Sequence, residues 1–258
     1  MSPAKISGLY QDGRIYDRLY ADSGADVPFY LALAGECSDP ILELACGTGK
    51  YLIPWAQAGH LITGVDIAPA MLERAAEKAR QMGVRVSLHA ADMRRFDLAA
   101  RFGLVVIAGN SLCHLHTDDD LRLMLECVRR HLAAGGQFVI DVFIPDARLL
   151  ARDADLRFPF GEYEDPADLS RVYVTYAQRY DAVAQLSYVT LFAARQGGAS
   201  ETRHELTLRM WYPCELEAAV RSAGFRIVER FGGHNRAPLD SRAGKQILVL
   251  DVPAEMPP

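Results

Sequence analysis

Two glycines and one aspartate carry the first chemical signal in the chain. Gly47 and Gly49 stand in ELACGTGK (43–50), and Asp66 stands in VDIA (65–68). Glycines at those places let the backbone turn sharply after a strand and pass close to a ligand. The helix that follows points its free N–H groups at that ligand. Asp66 lies 19 residues after Gly47, at the end of a second strand, where an acid can accept hydrogen bonds from both hydroxyls of a ribose. Together the two signals describe a site for adenosine. A dinucleotide site wants a third glycine three residues after the second, and Leu52 holds that position. Glu43, at the head of the loop, would repel a pyrophosphate but would hold an ammonium or a water. An amino-acid tail fits that environment better than two phosphates.

A second set of residues has acid–base or binding chemistry. GNSLCHL (109–115) brings Asn110, which offers both a donor and an acceptor. It also brings His114, whose unperturbed pKa near working pH makes it the best candidate general base. The other reading of His114 is a capping or merely buried histidine. YQDGRIYDRLY (10–20) places Tyr10, Tyr16 and Tyr20 on a short amphipathic stretch, which reads either as a lid over a ligand or as a packing helix. The cysteines Cys37, Cys46, Cys113, Cys127 and Cys214 are scattered with no CxxC spacing. No metal site is expected, and free thiols fit a reducing cytoplasm.

These residues need elements to hold them. ILELA (41–45), LITGVDI (61–67), VSLHAA (86–91), LVVIAG (104–109) and QFVIDVF (137–143) read as buried strands. MLERAAEKARQM (71–82) has helical spacing, and Thr117 with Asp118, Asp119 and Asp120 reads as the capped start of a helix that ends near Gly135 and Gly136. Strands alternating with helices predict a parallel, doubly wound α/β sheet with ligands at the carboxyl ends of its strands. The pattern changes at 171–181, 184–195 and 201–212, which read as antiparallel hairpins. CELEAAVRSAG (214–224) is then a helix, and FRIVERF (225–231) and QILVLDV (246–252) are the last strands. The domain plan is an N-terminal helical lid over 1–40, a nucleoside-binding domain over 41–144 and 213–252, and an inserted antiparallel subdomain over 145–212.

Composition narrows the function. The chain has 258 residues, of which 50% are hydrophobic, an ordinary globular balance for one α/β domain with an insert. Lys plus Arg total 28 against 33 for Asp plus Glu, and no basic stripe stands out, which argues against a nucleic-acid partner. No apolar stretch is long enough to span a bilayer, and MSPAKISGLY lacks an apolar signal core. A cytoplasmic protein with a small-molecule partner is the expectation.

ELACGTG, VDIAPAML, the acid in AADM (90–93) and HLAAGGQFVIDVF (131–143) resemble the successive motifs of the class I S-adenosylmethionine-dependent methyltransferases. The resemblance implies a Rossmann-like fold with S-adenosylmethionine as cofactor. It implies that Ala45, Cys46, Gly47 and Gly49, with Glu43 and Met71 nearby, surround the methionine and ribose part. It implies that Asp66 holds the ribose, Ile67 stacks on adenine, and Asp92 and Met93 form the adenine rim. The other reading of Asp92 is a solvated loop acid. Gly109 and Asn110 would lie near the methyl group, with His114 and Tyr10 as catalytic candidates. The N-terminal segment would fold over the cofactor, with Tyr20 against it and Tyr16 against the substrate. Phe143, Trp211 and His234 would stand near the pocket mouth, although core packing is their other reading.

GNSLCHL is similar to the glycine and sarcosine and the amino-sugar N-methyltransferases, which implies transfer to a nitrogen of a small metabolite. O-methylation of a phenol or carboxylic acid, a non-catalytic cofactor-binding protein, and a nicotinamide-dependent oxidoreductase are the alternatives. The apolar face of the insert either roofs the active site or pairs with a second chain. The amino-sugar enzymes imply a homodimer of the latter kind.

Overall fold

The computed structural model describes residues 6–253 apart from 22 and 199. A 3-10 turn over Gly8–Gln11 leads into α1 (Gly13–Leu19) and α2 (Val27–Glu36). The sheet then begins with β1 (Ile41–Leu44), α3 (Leu52–Gln57), β2 (Ile62–Asp66), α4 (Pro69–Gln81), β3 (Ser87–Ala90) and β4 (Phe102–Ile107). A 3-10 turn over Ser111–His114 precedes α5 (Asp118–His131) and β5 (Leu132–Phe143). Next come α6 (Ala147–Leu150) and four strands, β6 (Phe158–Glu164), β7 (Arg171–Asp181), β8 (Leu186–Arg195) and β9 (Glu201–Arg209). α7 (Pro213–Ser222), β10 (Arg226–Phe231) and β11 (Lys245–Asp251) complete the described chain.

The first sheet has seven strands in the order β10-β11-β5-β4-β1-β2-β3, with β11 antiparallel to both neighbours. β1 pairs in parallel with β2 and β4, so strand order reverses direction beside β1. That is where an open α/β sheet leaves a crevice. Alternation builds two layers. Leu42, Leu44, Val105, Ile107, Phe138 and Ile140 bury one face against α5 and α7. Ile41, Leu104, Val106, Val139, Ile247 and Val249 bury the other against α2, α3 and α4.

Leu52 explains how the first crossover packs without a third glycine. The glycine is on the strand instead: a Cβ on Gly64 in β2 would come within 2.4 Å of Leu52 Cδ1. α5 opens as expected, with Thr117 accepting from the Asp120 N–H at 3.0 Å and Asp120 accepting from the Thr117 N–H at 3.3 Å. It ends earlier than expected, at His131, because β5 already runs beside β4 from Leu132. Gly136 serves that approach: a Cβ there would lie 2.8 Å from the Phe102 carbonyl oxygen.

The second sheet is antiparallel in the order β6-β7-β8-β9. β6 was invisible to pattern reading, since Pro159 and Gly161 interrupt it and flank a register shift, as an edge strand tolerates. β9 stops at Arg209, so Trp211 leaves the ladder and enters the core of the first sheet. Val172, Val174, Leu191 and Ala193 on this sheet pack with Leu9 and with Tyr10, Tyr16, Leu19 and Tyr20. The apolar face of the insert thus meets the chain's own N-terminal segment.

Asp17 pins that segment to the first sheet's helices. It accepts hydrogen bonds from Thr48 Oγ1 at 2.6 Å, Arg74 Nε at 2.7 Å and Lys78 Nζ at 3.1 Å. Gly13 lets α1 approach α4 closely, because a Cβ there would lie 2.5 Å from Arg74 Cβ. Among the described residues no helix is long and apolar enough to cross a membrane.

Candidate active site

A cavity of about 690 Å³ lies over the carboxyl ends of β1, β2, β3 and β4. It collects Ala45 and Gly47, Asp66 and Ile67, Met71 from α4, Asp92 and Met93, Gly109, His114, and Tyr10 and Tyr16 from the N-terminal segment. The β1 loop turns into the crevice through three left-handed residues, Ala45, Gly47 and Gly49, at φ 52°, 53° and 81°. A side chain on Gly47 or Gly109 would meet nothing within 4 Å and would stand in open space. Gly49 instead packs beneath the loop, where a Cβ would lie 3.2 Å from Ile53 Cγ1.

Asp66 ties two of these loops together. Its Oδ2 accepts from the Gly47 N–H and its Oδ1 from the Ala68 N–H, both at 2.8 Å. Burial pushes its carboxyl above the ordinary range, while the backbone N–H groups of Ala68, Gly47 and Ile67 pull the other way. Each oxygen keeps acceptor capacity for a further donor. Glu43 stands behind the loop inside β1, fully buried. Its carboxyl is pushed well up by burial and by the negative Asp66. Its Oε2 has no partner. Ile67 is 39% exposed although apolar, and its exposed face belongs to the cavity.

Asp92 is at the cavity rim but is not a free acid. Arg94 binds it through Nε at 3.0 and 3.1 Å and Nη2 at 2.5 Å, and reaches Asp120 through Nη1 at 2.5 Å. Burial opposes ionisation of Asp92, yet the Arg94 hydrogen bonds and charge hold its carboxyl below the usual range. The carboxylate is therefore fixed in place, with part of its acceptor capacity left over.

Tyr10 and His114 meet across the cavity. The Tyr10 hydroxyl is 2.9 Å from His114 Nε2, and the rings meet edge to face at 5.5 Å. Burial pulls the His114 pKa down to about 4, with His116 adding to the effect. Burial also pushes the Tyr10 phenol well up. Both groups are uncharged at neutral pH. His114 is thus an uncharged hydrogen-bond partner of Tyr10, a weaker base than its residue type suggests. The 3-10 turn that carries it is held by His116, whose Nε2 donates to the Thr207 carbonyl at 2.8 Å.

Several expected residues stand elsewhere. The Asn110 oxygen accepts from the Phe143 N–H at 2.9 Å and from Lys245 Nζ at 3.1 Å, so it braces β5 and β11 rather than the cavity. Phe143 packs against the core on the α5 face. Trp211 is a core residue, with Nε1 donating to the Leu112 carbonyl at 3.3 Å and Arg209 over its ring. His234 Nε2 lies 2.8 Å from Asp141 Oδ2, in a buried cluster separate from the cavity. Tyr20 stacks on Tyr16 at 4.7 Å and meets Phe160 edge-on, one layer behind the wall.

Other wall residues escaped sequence reading. Arg203, Glu205 and Thr207 come from β9, Arg94 lies next in sequence to Met93, and His116 lies two residues after His114. The alternation of ETRHELTLR marks one polar face of a strand. Only the docking of the second sheet decides that this face meets the cavity. A second concavity of about 750 Å³ lies between α5 and α7 and is lined mainly by charged side chains.

The geometry meets its relatives at this point. Residues 41–136 match a family model described as a methyltransferase domain. A dTDP-4-amino-2,3,4,6-tetradeoxy-D-glucose N,N-dimethyltransferase of Saccharopolyspora spinosa is 30% identical over 54% of this chain, an alignment spanning just over half (57%) of that relative. A dTDP-3-amino-3,4,6-trideoxy-alpha-D-glucopyranose N,N-dimethyltransferase of Streptomyces venezuelae is 27% identical over 85% of this chain and 92% of its own length. The CcbJ methyltransferase from Streptomyces caelestis superposes with a TM-score of 0.77 at 26% identity, covering 89% of this chain and 96% of that one. The fold and the crevice define a Rossmann-like methyltransferase. The chain carries a methyltransferase domain over residues 41–136 and is an S-adenosylmethionine-dependent methyltransferase that resembles the class I family, with S-adenosylmethionine as its cofactor.

Proposed function

We propose that this enzyme transfers a methyl group from S-adenosylmethionine to the uncharged nitrogen of a small amine. One observation carries the reading: the buried, uncharged Tyr10–His114 pair in the cavity wall, 2.9 Å apart. The N,N-dimethyltransferase relatives support nitrogen as the acceptor atom.

The wall fits the cofactor. Asp66 has acceptor capacity for ribose hydroxyls, and Ile67 offers an apolar face for adenine. Asp92 and Met93 close the rim, and the open space at Gly47 and Gly109 admits the chain that carries sulfur. The unpartnered Glu43 Oε2 provides an acceptor behind the loop for the ammonium of the amino-acid tail, directly or through a water. When bound, the cofactor supplies a methyl group activated on a sulfonium.

The protein's own residues arrange the attack. The burial that lowers the His114 pKa acts on an entering amine in the same sense, so the amine releases its extra proton to solvent at the mouth. With Nδ1 carrying the ring proton, His114 Nε2 accepts from the Tyr10 hydroxyl, and the Tyr10 oxygen accepts an N–H of the amine. That hydrogen bond aims the nitrogen lone pair. The nitrogen forms the new N–C bond, and the C–S bond pair is left on sulfur. Positive charge builds on nitrogen as this happens, so the hydrogen bond to Tyr10 strengthens towards the transition state. The segment carrying Tyr10 and Tyr16, held through Asp17, serves as the lid that keeps water out, with Tyr16 beside the acceptor.

The test is methyl transfer from labelled S-adenosylmethionine to a panel of small primary and secondary amines beside matched phenols and carboxylic acids. Label in the amines, with mass gains of one or two methyl groups, is the expected result. Label only in the oxygen acceptors would overturn the reading.

A further inference from the structure

The cavity wall carries a charge pattern that selects among amines. Among the described residues the charged wall side chains are Asp66, Asp92, Asp120 and Glu205 against Arg94 and Arg203. Both cations are already engaged. Arg94 is held between Asp92 and Asp120, each at 2.5 Å. Arg203 binds Glu201 at 3.0 Å and leans over the Phe192 ring. Glu205 is exposed at the mouth, and its carboxylate has no partner among the described residues. His116 adds an acceptor: its Nε2 must carry hydrogen to donate to the Thr207 carbonyl, which leaves the Nδ1 lone pair unpartnered.

A nucleoside diphosphate brings at least two negative charges. Its recognition needs unpaired cations or converging N–H groups. The wall offers instead one unpaired carboxylate and one imidazole acceptor, both suited to N–H and O–H donors. We propose that the acceptor is a phosphate-free amine that reaches the mouth as its cation, is drawn in by Glu205, and is oriented by His116 Nδ1 through a neighbouring hydroxyl or N–H. Amines carried on a nucleoside diphosphate are rejected by the same carboxylate. This rests on the amine reading above and narrows its substrate class, setting the chain apart from the dTDP-sugar enzymes it is similar to.

The experiment compares a phosphate-free amino sugar or alkylamine with an amino sugar linked to dTDP, and tests dTDP alone as an inhibitor. The free amine is the expected acceptor, and millimolar dTDP leaves the rate unchanged. Glu205→Gln raises KM for the cationic amine about threefold and Glu205→Lys about tenfold, as expected for a partly screened charge. KM of the wild type rises with added salt, and that of Glu205→Gln does not. S-adenosylhomocysteine raises the Tm of all three proteins alike, which establishes that the variants fold. Preference for the dTDP-linked acceptor, competitive inhibition by dTDP, or an unchanged KM in Glu205→Lys would overturn the proposal and leave the amine reading standing. Turnover with neither amine, in protein that binds S-adenosylhomocysteine, would instead overturn the amine reading itself.

Discussion

The molecule holds two tyrosine–histidine pairs near the carboxyl end of its main sheet, and they are built oppositely. In the first, Tyr10 and His114 face each other in the cavity with no carboxylate between them. In the second, Tyr30 and His234 converge on buried Asp141, at 2.5 and 2.8 Å, and Lys245 adds its ammonium at 2.9 Å. Burial alone would raise the Asp141 carboxyl, but His234, Lys245 and Tyr30 hold it below the ordinary range. Every oxygen of that cluster is engaged, and Lys245 passes the restraint on to Asn110 and so to the turn that carries His114. The saturated cluster around the Asp141–Lys245 ion pair fixes structure. The uncharged, unsaturated pair retains acceptor capacity for a substrate.

Emptying the saturated cluster has the largest expected effect. Asp141→Ala leaves Lys245 without its buried counter-charge, and a loss of about 3–5 kcal/mol of stability is expected. Chemical denaturation would measure it, and a loss below 1 kcal/mol would mean that the cluster is not structural.

Asp66→Ala tests the cofactor side. It removes a charged acceptor that also holds two loop N–H groups, at an expected cost of about 3 kcal/mol, or on the order of 100-fold in S-adenosylhomocysteine affinity. Calorimetric titration showing unchanged affinity would remove Asp66 from the site.

The smallest effect is a pH dependence. The His114 pKa is lowered in the folded protein from 6.5 to about 4. The unfolded chain therefore takes up a proton first as pH falls. The stability tied to an uncharged His114 is full above pH 6.5 and is lost progressively towards pH 4. Between pH 7.5 and pH 5 the wild type should lose about 2 kcal/mol more than His114→Gln, which keeps a partner for Tyr10 but does not titrate there. Parallel stability curves for the two proteins would show that His114 is not held uncharged by burial.

What was legible in the sequence was local. The Gly47–Asp66 pair announced the crevice because a sharp turn and an acid at the next strand end are properties of short segments. The two-layer sheet followed from alternation alone. The acceptor side was not legible for the converse reason. Asn110 looked catalytic because its braces, Phe143 and Lys245, come from distant strands. Trp211 looked like a mouth residue because nothing local says that β9 ends at Arg209. His114 was found, but burial by the N-terminal segment changed it from a base near working pH to an uncharged acceptor. Glu205 and Thr207 enter the cavity only through the docking of one sheet on another.

On the proposed reading the uncharged pair acts in the chemical step and not in cofactor binding. The most direct test is the rate of methyl transfer to an amine in a single turnover, for the wild type and His114→Ala, beside S-adenosylhomocysteine affinity for the same two proteins. A rate lower by on the order of 100-fold, with the affinity kept within about twofold, is the expected result. An unchanged rate, or a rate lost only in step with cofactor affinity, would contradict that reading.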